Sequence, residues 1–345
     1  MTQQRPYPPT EPLVIDPTDS VADVLTKMQK ISFQGRSLGL AYDVWQQMLT
    51  DECTIWLGLS GAMTAGGMRN IVSYLLRHRL IDALVSTGAN LFHDIYECRG
   101  TPHYIGSPHE DDLKLRAAHL DRVYDTFLDE DVFRVIDRWV MDWAYGSLER
   151  RPYTSREFLF ELGRTLAETA QQDGILSSAY KAKVPVFCPA IADSSFGIAL
   201  AGRDKMTPPF QFDLVRDVEE TASLFESSRE TGVIYIGGGT PKNFIQQAAV
   251  VVEQKEFKGH KYAIQITADA AHWGGLSGCT FTEAKSWGKI HPRASMTTVR
   301  SDATVAMPFL VTAVAAFAES MPVKRRIPVF KHGVTLALEG YAAAE

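Results

Sequence analysis

A chain of 345 residues with 45% hydrophobic content can bury a large core, as one large α/β domain or two smaller ones, and is not a disordered protein. Its formal net charge of -6 offers no general attraction to nucleic-acid phosphates, which need clustered Lys and Arg, and slightly favours cationic small molecules. Cys53, Cys98, Cys188 and Cys279 stand far apart without a CxxC pair, so neither a zinc cluster nor a secreted disulfide framework is indicated, and no metal is expected.

The start is polar and rich in proline (Pro6, Pro8, Pro9, Pro12), so residues 1–15 read as an extended arm of the kind that packs on a neighbouring subunit. No charged-then-apolar leader opens the sequence and no run of about 20 apolar residues occurs, so a cytoplasmic protein without a membrane span is expected. From Asp19 the spacing of Val21, Val24, Leu25 and Met28 predicts a first helix, with Asp19 or Ser20 as its N-cap. Short β-rich runs then alternate with amphipathic segments: a strand over 54–59, a helix over 68–79 and a strand over 83–86. The rhythm returns with strands at 184–187, 233–236 and 262–266. Brief apolar strands separated by helices predict an α/β fold, a parallel sheet flanked by helices and buried on both faces. Residues 113–169 are expected to be mainly helical, with Val132, Val135, Ile136, Trp139, Val140 and Trp143 as their core face. No repeat, low-complexity tract or linker follows the arm, so residues 16–345 are read as one domain.

Ligands of open parallel sheets bind beyond the carboxyl ends of the strands, and those ends are glycine-rich in this sequence. Ser60-Gly61-Ala62-Met63-Thr64-Ala65-Gly66-Gly67 follows the first strand, Ser86-Thr87-Gly88-Ala89-Asn90 the second, and Gly237-Gly238-Gly239 a later one. Each can bring backbone N–H groups close to a phosphate, or can simply turn the chain; none is a strict GxGxxG or Walker A sequence. Asp193 either binds a ribose hydroxyl or caps a helix.

The segment Glu283-Ala284-Lys285-Ser286-Trp287-Gly288-Lys289-Ile290 closely resembles the EAxSWGKI active-site segment of deoxyhypusine synthases. Ser301-Asp302-Ala303-Thr304-Val305-Ala306-Met307-Pro308 resembles the stretch that helps these enzymes bind NAD. The likeness extends through IYIGGGTPKN, VPVFCPAIAD and the run from Leu57 to Asn90, covering roughly residues 33–320. It implies a Rossmann-like fold assembled as a homotetramer of tight dimers, with active sites at the dimer interface and NAD between subunits. It also implies a chemistry: NAD takes a hydride from the carbon beside a secondary amine of spermidine, diaminopropane leaves, a lysine holds the four-carbon fragment as a Schiff base, and an acceptor amine collects it.

By position, Lys289 is the lysine that carries the fragment; a neighbouring indole and a dehydrated pocket would favour its neutral, nucleophilic form. Trp287 matches the pocket tryptophan that can hold an alkylammonium on its ring face, and Glu283 the carboxylate that anchors a substrate amine. Gly274 and Gly275 fall in the substrate-binding region. The resemblance places Thr87, Gly88, Ala89, Asp193, Gly238, Ala268, Asp269, Asp302 and Ala303 around NAD, with the backbone of Gly61, Ala62, Met63, Thr64 and Ala65.

The sequence also departs from the family. Asn243 stands where the family has a proton-transferring histidine; an amide can hydrogen-bond an amine but cannot exchange protons near neutral pH. Ile198, Trp273 and Leu276 replace acidic residues, and Phe92-His93 replaces an acidic pair. A pocket that has lost these charges should prefer a substrate with fewer or differently placed amines. His93 and His272 are candidates for the acid–base work. Three readings follow: a homospermidine synthase-like enzyme moving an aminobutyl group onto putrescine, a deoxyhypusine synthase acting on a protein lysine, and an NAD-binding oligomer without catalysis, against which intact Lys289, Trp287 and Glu283 argue.

Overall fold

The computed structural model of the chain describes residues 7–252, 259–321, 325–330 and 338–343. Six parallel strands form its central sheet in the order Val186–Phe187, Ala83–Ser86, Cys53–Leu59, Glu230–Ile236, His260–Ile266, Ile290–Val299. Numbered along the chain this order is 3-2-1-4-5-6, that of dinucleotide-binding sheets, and it reverses between Cys53–Leu59 and Glu230–Ile236.

Every residue of Cys53–Leu59 and of Ala83–Ser86 is buried, which is why these strands read as continuous apolar runs. Alternate side chains serve two separate cores. Ile55, Leu57, Leu59, Ile234 and Ile264 join Trp45, Met48 and Leu310 on one face. Trp56, Val85, Val233, Tyr235 and Ala263 join Phe244, Ile245 and Phe281 on the other. The first face carries the helices Val21–Met28, Phe33–Thr50 and Ala303–Ser320, and the second carries Gly239–Val251 and Phe281–Ser286. The 18-residue Ala303–Ser320 helix is long and apolar enough to cross a membrane by length and composition. It buries Ala306, Met307, Leu310 and Val314 in the first core.

Local chemistry sets several boundaries. Ser20 caps the first helix in a capping box with Asp23. Residues 7–16 hold no helix or strand; Lys27 of that helix donates to the Val14 carbonyl at 3.3 Å, and Lys30 just beyond it pairs with Glu11 at 2.8 Å; residues 1–6 of the expected arm lie outside the described residues. The helix expected over 68–79 runs from Arg69 to Arg77, because Thr64–Met68 forms a π-type turn broken at Gly67, with φ 81°. Within the stretch expected to be helical, Leu120–Val123 and Thr126–Asp129 form an antiparallel hairpin that Tyr104–Ile105 extends. Val135 is 53% exposed and is not a core residue, whereas Ile136, Val140 and Trp143 are buried. The sixth sheet strand, Ile290–Val299, escapes the apolar pattern: it is an edge strand, so it tolerates Pro292 and polar residues.

Candidate active site

All the expected cofactor positions follow the carboxyl ends of the six strands: Gly61–Ala65 after Leu59, Thr87–Ala89 after Ser86, Asp193 after Phe187, Gly238 after Ile236, Ala268 and Asp269 after Ile266, and Asp302 and Ala303 after Val299. A hydrogen-bond network joins the turns. The Thr64 N–H donates to Asn90 Oδ1 at 3.2 Å and its hydroxyl to the Asn90 carbonyl at 2.8 Å. Asn90 Nδ2 donates to Thr87 Oγ1 at 2.9 Å, whose hydroxyl donates to the Gly61 carbonyl at 2.7 Å. The Ser60 hydroxyl donates across the strand-order reversal to the Gly238 carbonyl.

The glycines of these turns have different physical reasons. Gly61 has φ 70°, and only the Met63 methyl lies within 4 Å of where its Cβ would stand, so the turn borders open space. At Gly88 and Gly238 the Cβ position is already taken by protein, 2.2 Å from Ser194 Oγ and 2.3 Å from Ser277 Cα. Thr64, Ala65, Gly88 and Ala303 are buried, while Gly61 is exposed and Ala62, Met63, Thr87 and Ala89 are half-buried. The Asp302 carboxylate caps the Ala303–Ser320 helix, accepting the Thr304 N–H at 2.7 Å.

Lys289 precedes the Ile290–Val299 strand and so starts from the opposite end of the sheet from the turns. Its Nζ donates to Asn243 Oδ1 at 3.2 Å and lies 5.6 Å from the centre of the Trp287 ring. Asn243 is four residues into the Gly239–Val251 helix, about 6 Å along the axis from the Gly237–Gly239 turn at 1.5 Å per residue. The amine is thereby brought back towards the cofactor edge. Trp287 is 67% exposed, and Glu283, Gly274 and Gly275 are exposed too, so one chain does not supply the dehydrated pocket expected around Lys289. His272 is exposed beside Trp273, ring centres 4.4 Å apart.

His93, Asp193 and Ile198 are brought together elsewhere, around a pocket of ≈ 340 Å³ that Ala89, Phe92 and Phe133 also line. Ala89 belongs to the second glycine turn, so this pocket adjoins the cofactor edge. Burial, and secondarily His103, pulls the His93 imidazole down to about 4.

Two residues missed in the sequence sit behind the Gly237–Gly239 turn. Gln265 Nε2 donates to the Gly237 and Ser277 carbonyls, both at 2.8 Å. Lys242, 1% exposed, donates from Nζ to Gln265 Oε1 at 3.0 Å and to the Cys279 carbonyl at 2.6 Å. No carboxylate within ion-pair distance neutralises it among the described residues. Burial pulls its pKa down to about 8. The signal was present: Lys242 shares a helix face with the buried Ile245, Gln246 and Ala249.

The sheet order and its turns are those of a dinucleotide-binding α/β protein, and Lys289 is set between an indole and an amide. The family model described as deoxyhypusine synthase matches residues 23–314. The chain is 45% identical over 326 residues to "Probable deoxyhypusine synthase 2" of Methanosarcina acetivorans, covering 93% of each chain. It is 50% identical over 288 residues to the protein of the same name in Archaeoglobus fulgidus, covering 82% of this chain and 94% of that one. Among solved structures, one described as a deoxyhypusine synthase from Entamoeba histolytica superposes with a TM-score of 0.59 at 19% identity, over 87% of this chain and 94% of that one, a likeness of fold. The chain belongs to the deoxyhypusine synthase family, whose members are NAD-dependent aminobutyl transferases. The residues present fit the cofactor: the strand order reverses between the exposed Gly61 turn and the start of the Gly239–Val251 helix, whose N-terminal N–H groups suit a pyrophosphate.

Proposed function

We propose that this protein is a homospermidine synthase-type enzyme that moves the aminobutyl group of spermidine, held as an imine on Lys289, onto a small amine such as putrescine. The observation that carries this reading is the placement of the Lys289 amine, 3.2 Å from Asn243 Oδ1 and 5.6 Å from the Trp287 ring. The Gly61, Thr87 and Gly238 turns would hold NAD, which would supply a hydride acceptor for the amine-bearing carbon and a hydride donor for the product. Asn243 orients the Lys289 lone pair towards the substrate carbon; it accepts a hydrogen bond from the amine without taking its proton. Trp287 lays a ring face against the alkylammonium, and Glu283, one turn earlier in the chain, anchors its far amine. The acceptor is small because Trp273 and Leu276, exposed by 75% and 45%, stand where the family has carboxylates for a polycation, and Ile198, 66% exposed, replaces another at the separate His93 pocket.

The names of the archaeal relatives favour a second reading, transfer to a lysine of a hypusine-bearing translation factor. The two part in one experiment: putrescine as acceptor yields homospermidine under the first reading, and only a protein acceptor yields product under the second. The open Trp287 face supports a homo-oligomer, a homotetramer in which a second copy closes each site. A monomer with full activity overturns that assembly.

A further inference from the structure

Away from Lys289, a line of ion-paired and hydrogen-bonded side chains ends at the ≈ 340 Å³ pocket. Arg69 Nε stands 2.6 Å from Glu97 Oε2, and Glu97 Oε1 stands 2.6 Å from His103 Nδ1. His103 Nε2 is 2.8 Å from His93 Nδ1. The Arg69 and His103 side chains are 8% and 6% exposed. The line has one neutral proton arrangement. Glu97, ionised against Arg69, only accepts, so His103 carries its proton on Nδ1. His103 Nε2 must then accept, so His93 carries its proton on Nδ1 as well. His93 Nε2 is left as a bare lone pair, and no hydrogen bond engages it among the described residues. His93 lines the pocket together with Asp193, the carboxylate expected beside a cofactor ribose, whose charge also favours an ammonium group next to it.

We infer that His93, oriented by His103 and Glu97, is a proton acceptor for a substrate ammonium held in the Asp193 pocket. The inference rests on the amine-transfer reading above and adds the group that readies the amine. At neutral pH the amines of polyamines are protonated and have no lone pair, either to drive hydride loss from the neighbouring carbon or to attack an imine. The ammonium N–H bond breaks, its electron pair stays on the amine nitrogen, and the proton bonds to His93 Nε2. The Nδ1 proton then passes to His103 Nε2, and the His103 Nδ1 proton to Glu97. His103 and Glu97 are positioning and relay residues; the charged and titratable groups facing His93 are His103, Glu97, Arg69 behind Glu97, and Asp193 across the pocket. With burial holding His93 neutral at pH 7, its lone pair is available before substrate arrives.

The test uses the full-length protein with NAD, following NADH formation on addition of spermidine or putrescine between pH 6 and 10. His103→Gln keeps a hydrogen-bonding partner for His93 but cannot relay a proton. It should lower kcat about 100-fold, leave KM within about threefold, and move the active range to higher pH, where free amine exists in solution. His93→Ala should fall as far and regain part of its rate with external imidazole. Wild-type-like kcat and pH profile in both variants, while the wild type reduces NAD with amine, overturns the relay and leaves the transfer reading intact. A wild type that reduces no NAD with any amine overturns the transfer reading. The relay is then judged by the ¹⁵N imidazole signals of His93 on adding spermidine: movement supports the pocket assignment and its absence overturns it. His103→Asn serves as the second relay variant if His103→Gln does not fold.

Discussion

Replacing Lys242 by methionine separates two opposed effects at the base of the Gly237–Gly239 turn. The wild-type ammonium is buried and holds the Cys279 carbonyl and Gln265 Oε1, at 2.6 and 3.0 Å. Burial lowers its pKa from 10.5 to about 8. A lysine whose folded pKa lies below its unfolded one binds its proton less well when folded, so below pH 8 the native state carries the whole penalty. About 2.5 units corresponds to about 3 kcal/mol at 1.36 kcal/mol per unit. The penalty fades as pH rises from 8 to 10.5, and the wild type gains that much relative to a variant with no charge there. Lys242→Met also leaves two buried acceptors without a donor, at about 1–3 kcal/mol each, an effect with no pH dependence in this range. Urea unfolding of both proteins at pH 7, 8, 9 and 10 reads the difference and cancels the buried cysteines, which titrate in both. The difference in favour of the wild type should widen by about 2.5 kcal/mol between pH 7 and pH 10, where part of the penalty still remains. A difference constant to within about 0.5 kcal/mol would refute the argument that Lys242 is a buried, unneutralised cation.

Three further outcomes are expected. Lys289→Arg keeps the charge beside Trp287 but cannot form an imine, so the borohydride-trapped adduct should vanish and turnover fall at least about 10³-fold, with unfolding unchanged. Gly238→Ala puts a methyl 2.3 Å from Ser277 Cα; the turn must shift, at about 1–3 kcal/mol of stability, and calorimetry should show NAD binding weakened at least tenfold, whereas unaltered affinity would separate the turn from the cofactor. Asp94→Asn tests the packing behind the His93 helix: Asp94 is fully buried and accepts the N–H groups of Ile175 and Leu176 at 2.8 and 3.0 Å. An amide has one accepting oxygen for two donors, so thermal unfolding should show a loss of about 1–3 kcal/mol.

The sheet was legible where its strands are buried on both faces and apolar, at residues 55–59 and 233–236; the polar Glu230-Thr231 start of the latter strand was not. It was illegible at Ile290–Val299, where an edge position relaxes both the apolar and the proline rule. The glycine turns were visible as turns, but the reasons for Gly88 and Gly238 were not, because Ser194 and Ser277 approach from segments distant in sequence. The Lys289–Asn243 contact spans 46 residues, and nothing local to either residue reports it. His93 was singled out in the sequence because it differs from the family; its line to His103 and Glu97 emerges only when the loop after the Gly88–Cys98 helix folds back over that helix.

The most direct measurement incubates the protein with NAD and spermidine, spermidine plus putrescine, or putrescine alone, traps with borohydride, and analyses small molecules and peptides by mass spectrometry. The expected result is a four-carbon amine adduct on Lys289 with spermidine, and homospermidine released when putrescine is added. No adduct on Lys289 and no NADH with any of these amines would contradict Lys289-borne aminobutyl transfer.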